Sequence, residues 1–176
     1  MPDQLSLRHA NPADVAGIAN LHAQSWQLTY RGTFSDDYLD HEAPAERLAT
    51  WTERFATPNP EMLVTVAEKE GSIVGFYCTF LHYSEDGHML DNLHVRPGLQ
   101  GHGIGPKLMR DAAERVSQHD PDGTIFLWVL TDNEGAIRFY ERHGGRRGRT
   151  QQLVLAGNKV EAIMMSWPVK KLLELR

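Results

Sequence analysis

Only one cysteine, Cys78, stands among the 176 residues, inside an apolar run. A lone thiol cannot close an internal disulfide, so the fold must stand on its core and Cys78 reads as buried filler. Long apolar runs are missing too: none approaches the roughly 20 residues that span a bilayer. The opening stretch MPDQLSLRHANPAD has no apolar segment behind a basic start. No secretory leader is therefore expected, and the cytoplasm is the default compartment. Basic charge is also scarce, the formal net charge being −5. That argues against nucleic acid, which needs a basic footprint, and against attachment to acidic lipid by charge. The nine histidines contain no HExxH or similar cluster, so no metal is expected. Repeats, low-complexity tracts and long linkers are absent as well. The length suits one well-filled core spanning 1–176, with 170–176 as a tail that packs on a neighbouring subunit or frays.

What is present alternates between helical and strand patterns. Leu5 to Arg8 reads as a short strand. Asn11-Pro12-Ala13-Asp14 is a helix start, with a cap, a proline at the first position and an acid three residues on. Val15, Ile18, Leu21, Ser25 and Trp26 continue it to about Leu28. A short helical piece is expected near Asp36. A second helix covers about Pro44 to Phe55, with Leu48, Trp51 and Phe55 on one side, and Pro58-Asn59-Pro60 ends it. Strands follow at 62–68, 73–81 and 89–95, an antiparallel meander. His82 and His88 bracket a turn and are expected in solvent. A helix from about Ile104 to His119 precedes a strand at 125–130, whose nearly continuous apolar run suits burial on both faces. A helix at 133–142 and strands at 151–155 and 161–167, joined at Gly157-Asn158, complete the pattern.

The chemistry concentrates at Gln100-Gly101-His102-Gly103-Ile104-Gly105, between a strand and a helix. Glycines permit a sharp turn there. Amides at a helix start can then face an anion, a diphosphate being a natural guest. His102, Lys107 and Arg110 could add positive charge. A purely structural strand-to-helix turn is the plain alternative. The run lacks the Lys-Ser/Thr ending of a nucleotide-triphosphate loop. It also comes too late, after a meander, for a dinucleotide unit.

Residues 93–105, Leu-His-Val-Arg-Pro-Gly-Leu-Gln-Gly-His-Gly-Ile-Gly, resemble the coenzyme A signature of the Gcn5-related N-acetyltransferases, the GNAT superfamily. Gln100, Gly103 and Gly105 match its Gln/Arg-x-x-Gly-x-Gly/Ala core. Leu127 to Leu130, Asn133, and Ala136 to Gly145 resemble that family's fifth strand and following helix. Trp26 to Gly32 resembles a stretch of bacterial members, so the likeness covers nearly the whole chain. It implies a mixed α+β fold: a mostly antiparallel, twisted sheet of about seven strands, with the fourth and fifth splayed, flanked by about four helices. It further implies acetyl transfer from acetyl-coenzyme A to a primary amine of a small molecule or peptide, and a homodimer.

By that resemblance Leu93, His94 and Val95 line the pantetheine arm, and Gln100, Gly101, His102, Gly103, Ile104 and Gly105 hold the diphosphate. Asn133 bonds near the acyl end, and Tyr140 offers its hydroxyl to the sulfur. Their plain roles are a helix cap for Asn133 and a core ring for Tyr140. An attacking amine must lose a proton, which asks for a base. Asp91 is the candidate. Strict alternation puts it on the side of Leu93 and Val95, unless a bulge intervenes. Many relatives carry a glutamate on this strand and this chain has none, so a non-catalytic acyl-coenzyme A sensor is the rival reading. Trp26, Tyr30 and Tyr83 are candidates for the acceptor pocket.

Overall fold

The computed structural model describes residues 5–175. Strand β1 (Ser6–His9) leads into a tight turn at Pro12–Asp14 and helix α1 (Val15–Thr29). The start is capped as its residues dictate: Asn11 Oδ1 accepts from the Ala13 amide at 2.9 Å, and Asp14 Oδ2 accepts from the Asn11 amide at 2.8 Å. The helical piece expected near Asp36 is a wide π-type turn, Tyr38–Glu42, running straight into α2 (Ala43–Ala56). Then come β2 (Met62–Lys69), β3 (Ser72–Ser84), β4 (Gly87–Val95), α3 (Ile104–Ser117), β5 (Thr124–Leu130) and α4 (Glu134–Arg142). The chain closes with β6 (Arg146–Leu155), β7 (Asn158–Pro168) and a single turn, α5 (Val169–Leu172).

Seven strands form one sheet in the order β1-β2-β3-β4-β5-β7-β6. Every neighbouring pair is antiparallel except β4 with β5. Side chains alternate across it. Val64, Val66, Phe76 and Cys78 pack against Ile18 and Leu21 of α1 and Trp51 of α2. Tyr77, Ile125, Leu127, Val129 and Met165 pack against Leu108, Ala112 and Val116 of α3 and Ile137 of α4 on the other face. Each such burial contributes roughly 1.5–3 kcal/mol. Burial also pushes the Cys78 thiol up to about 12, in keeping with filler. Among the described residues no helix is long and apolar enough to cross a membrane.

Three expectations change. The terminal leucines do not form a loose tail: Val169 and Leu172 are buried in the core beneath α3, with Leu173 and Leu175 against it. His88 is buried, with Nδ1 accepting from the His82 amide at 3.1 Å and Nε2 3.3 Å from Asp120, while His82 is exposed. His88 stands where β4 first meets β5, so the turn it was expected to edge is closed by the sheet. Finally, α2 buries Ala43 and Trp51 with Arg47, Arg54 and Phe55 partly covered, and leaves Leu48 46% exposed. The inner stripe thus keeps Trp51 and Phe55 but runs through Arg47 in place of Leu48.

Candidate active site

Strands β4 and β5 pair only at His88–Ile125 and Met89–Phe126. Beyond that point β4 runs to Val95 and β5 to Leu130 without pairing, so a gap opens in mid-sheet. The Arg96 amide donates to Val74 O of β3 at 2.8 Å. By two-residue alternation the backbone of His94 also faces β3, and that of Leu93 and Val95 faces the gap. Leu93 and Val95 therefore turn their backbone groups to the gap. His94 does not: its ring lies on the α1 side, with Nδ1 2.8 Å from Ser25 Oγ.

The open edge of β4 leads directly into the glycine turn. Gly103 precedes α3 with φ +78°, a left-handed conformation that suits glycine. A side chain at Gly105 would lie 3.0 Å from Phe139 Cζ, so this glycine lets α3 and α4 approach. The first-turn amides of α3 have no intrahelical acceptor and sit at the positive end of the helix dipole. Gln100 braces the turn, its Oε1 accepting from the Gly98 amide at 2.9 Å. His102 folds back with Nδ1 3.0 Å from Gln100 O, and Arg110 is spent on Glu114 and on Leu175 O. Of the three expected positive groups, Lys107 alone is exposed and unengaged among the described residues. Ile104 turns its side chain into the core.

On α4, Asn133 caps the helix, Oδ1 accepting from the Ala136 amide at 3.1 Å. Tyr140 is 9% exposed and meets Trp167 edge-on at 5.6 Å between ring centroids. Its hydroxyl bonds to no described residue. Burial raises its pKa well above the usual phenol range, and Tyr30 raises it further. The hydroxyl thus keeps its proton far beyond neutral pH.

The opposite face of the gap is lined by α1 and α2. Trp26 and Tyr30 meet edge-on at 5.4 Å, within a cluster that includes Phe34, Leu39, Leu130 and Ala162. Tyr83 is not brought to them: it is 55% exposed beside Phe126, at the closed end of the gap. The pairing of β3 with β4 shifts register between Cys78 and Thr79, whose partners are Asn92 and Leu90. Asp91 is the extra residue of that bulge. It therefore turns away from the side of Leu93 and Val95 and faces α2. Arg54 Nη2 donates to Asp91 Oδ2 at 2.7 Å, and Arg54 Nη1 to Asn92 Oδ1 at 2.9 Å. Asp91 Oδ1 accepts no bond from a described residue. The Arg54 guanidinium lies between the Trp51 and Phe80 rings, at 4.9 and 5.3 Å. Sequence reasoning missed Arg47 and Arg54 here. The available signal was their helical spacing with Trp51, but arginine is read by habit as a surface residue. No group of three or more His, Cys, Asp or Glu side chains among the described residues could hold a metal ion.

A sheet that parts after its fourth strand, with a glycine turn at the mouth, defines the acetyltransferase fold. The crystal structure of the PaiA N-acetyltransferase from Thermoplasma acidophilum in complex with coenzyme A shares it, at a TM-score of 0.74 and 17% identity, covering 91% of this chain and 98% of that one. An N-acetyltransferase of Bacillus subtilis, YuaI, is 26% identical over 168 residues, 93% of either chain. The mycothiol acetyltransferase of Mycolicibacterium smegmatis is 29% identical over 154 residues, and there this chain spans only 48% of the relative's length. The family model described as Acetyltransferase (GNAT) family matches residues 19–145, and the chain belongs to that family. It is an acetyltransferase.

Proposed function

We propose that the protein binds acetyl-coenzyme A in the gap between β4 and β5 and transfers the acetyl group to a primary amine by direct attack in a ternary complex. The observation that carries this reading is the unpaired inner edge of β4 running into the glycine-opened start of α3. The residues fit such a donor. Leu93 and Val95 offer strand-like backbone groups to an amide-bearing arm. Gly101, Gly103 and the first amides of α3 offer donors to a diphosphate, and nothing lies within 4 Å of where a side chain at Gly101 or Gly103 would begin. When bound, the donor supplies an acetyl group activated as a thioester.

The chain's own residues handle the protons. Asp91 is held by Arg54 through Oδ2 and keeps Oδ1 free to take a proton from the amine, directly or through water. Tyr140, protonated in its buried setting, donates from its hydroxyl to the departing sulfur. Trp26 and Tyr30 form the acceptor wall, and the aromatic cover keeps bulk water from competing with the amine. A non-catalytic donor-binding module is the second reading, favoured by the engagement of Asp91 with Arg54. One experiment separates the two. The purified protein is titrated calorimetrically with acetyl-coenzyme A, and free thiol is then followed as an amine library is added. Binding with amine-dependent thiol release supports transfer; binding without release supports the module; no binding overturns both.

A further inference from the structure

The inner stripe of α2 carries two guanidinium groups, and only one of them is hydrogen-bonded to an anion. Arg54 is held by Asp91 and Asn92. Arg47 lies on the same stripe two turns earlier, with its side chain 17% exposed and its guanidinium 4.4 Å over the Trp26 ring. Its Nε is buried and bonds to no described residue. The nearby carboxylate, Glu46, stands 3.7 Å from Nη2, beyond hydrogen-bond range, and already accepts the Tyr38 hydroxyl at 2.6 Å. An unsatisfied buried donor on a charged group costs about 1–3 kcal/mol or more. The fold retains that cost in the wall made by Trp26 and Tyr30.

The geometry of the group narrows what could relieve it. A guanidinium whose flat face is taken by an indole can bind only along its edge. An edge of Nε and a terminal nitrogen matches the two oxygens of a carboxylate. We propose that Arg47 anchors a carboxylate of the acceptor, so that the amine acetylated by this protein is an amino acid or short peptide. This rests on the amine-transfer reading above. The spacing selects further. Arg54 marks the level of Asp91, where the amine would lose its proton. Arg47 is seven residues away along the helix, a rise of roughly 10 Å. The acceptor's carboxylate therefore lies several bonds from its reacting amine, which favours an ω-amino acid or a peptide over a free α-amino group.

The test compares glycine, γ-aminobutyrate and ε-aminocaproate with methylamine, propylamine and pentylamine, the same amines without the carboxylate. The expected result is kcat/KM for ε-aminocaproate about tenfold or more above pentylamine, the worth of one charge-assisted bond, with a smaller ratio for the glycine pair. Arg47→Gln should bring the ε-aminocaproate ratio near one by raising its KM. Arg47→Lys, which keeps the charge but loses the Nε edge, should fall between. Lys171→Gln, on the exposed end of the chain, should leave the ratio as it is. Equal use of pentylamine by the wild type, or an unchanged ratio in either Arg47 variant, overturns the proposal, and Arg47→Lys decides if Arg47→Gln fails to fold. If no amine at all is acetylated, the transfer reading fails, and calorimetry with ε-aminocaproate decides the anchor. Heat that is lost in Arg47→Lys sustains it; no heat with the wild type overturns it.

Discussion

The two faces of the gap are built by different means. On the proposed reading the donor face comes from one contiguous stretch, 93–105, with α4 beside it, and would work through backbone groups. On the same reading the acceptor face is assembled from α1, the following loop, α2 and a bulge in β4, and would work through side chains. A backbone site needs glycines at set positions, and those positions show in a sequence. A side-chain site needs the fold to bring distant residues together, and its spacing appears only in space.

Four changes would break or sharpen this contrast. The largest effect is expected from Tyr140→Phe. Removing a positioned acid should lower kcat by about 100-fold, while donor affinity measured by calorimetry stays close to wild type. Unchanged turnover would remove Tyr140 from the donor face's chemistry. Next is Gly103→Val. A β-branched residue at φ +78° costs on the order of 1–3 kcal/mol. Calorimetry should show a donor Kd weakened by roughly tenfold, with no selective change in amine KM once donor is saturating. Arg54→Gln tests the other face. It should raise the amine KM and leave donor affinity intact, and denaturant titration should show a loss of about 1 kcal/mol, since the pair is partly exposed. The last change concerns His94, whose effect is confined to acid pH and absent at neutrality. Burial first, and then the Arg47 charge, bring its pKa from 6.5 down to about 4. The unfolded chain therefore binds a proton that the folded one refuses across that interval. The stability contribution is complete above pH 6.5 and is lost as pH falls toward 4, at about 1 kcal/mol per pH unit. Urea unfolding of His94→Gln should show a shallower acid slope than wild type. The buried His22, shifted in the same direction by burial and by His94, leaves part of the slope in place.

Much of the fold was legible because hydrophobic period and turn residues agree, as in α3 with Leu108, Ala112 and Val116. The first half of β6, Arg146 to Thr150, was not, because an exposed edge strand needs no alternation. Its hairpin turns at Ala156 and Gly157, with φ +48° and +73°, one residue earlier than Gly157-Asn158 suggests. One-turn α5 is too short to show a period, and its leucines earn their burial only through α3. In the candidate site, the positions of the glycine turn, of Leu93 and Val95 on β4 and of Tyr140 on α4 were legible as places in the fold. Asp91 was placed on the wrong side because a bulge inserts one residue without any mark in the residues themselves. The arginines of α2 were hidden by their charge: their stems pack on Trp26 and Trp51, and Arg54 meets its counter-charge only after β4 folds against the helix.

A seven-stranded sheet ordinarily has two edges, and this one has four. Besides β1 and β6, the parted stretches of β4 and β5 each present a row of amides and carbonyls without a partner strand. Such rows are the usual starting points for chain-to-chain pairing. Here they lie inside the fold, between α1 and α4, where another chain cannot easily lie alongside. Hydrogen exchange should expose this arrangement. The Leu93 and Val95 amides, in the middle of the sheet, should exchange far faster than the paired amides of Val66 or Phe76, two strands and one strand away, and a guest that completes the strand should slow them selectively.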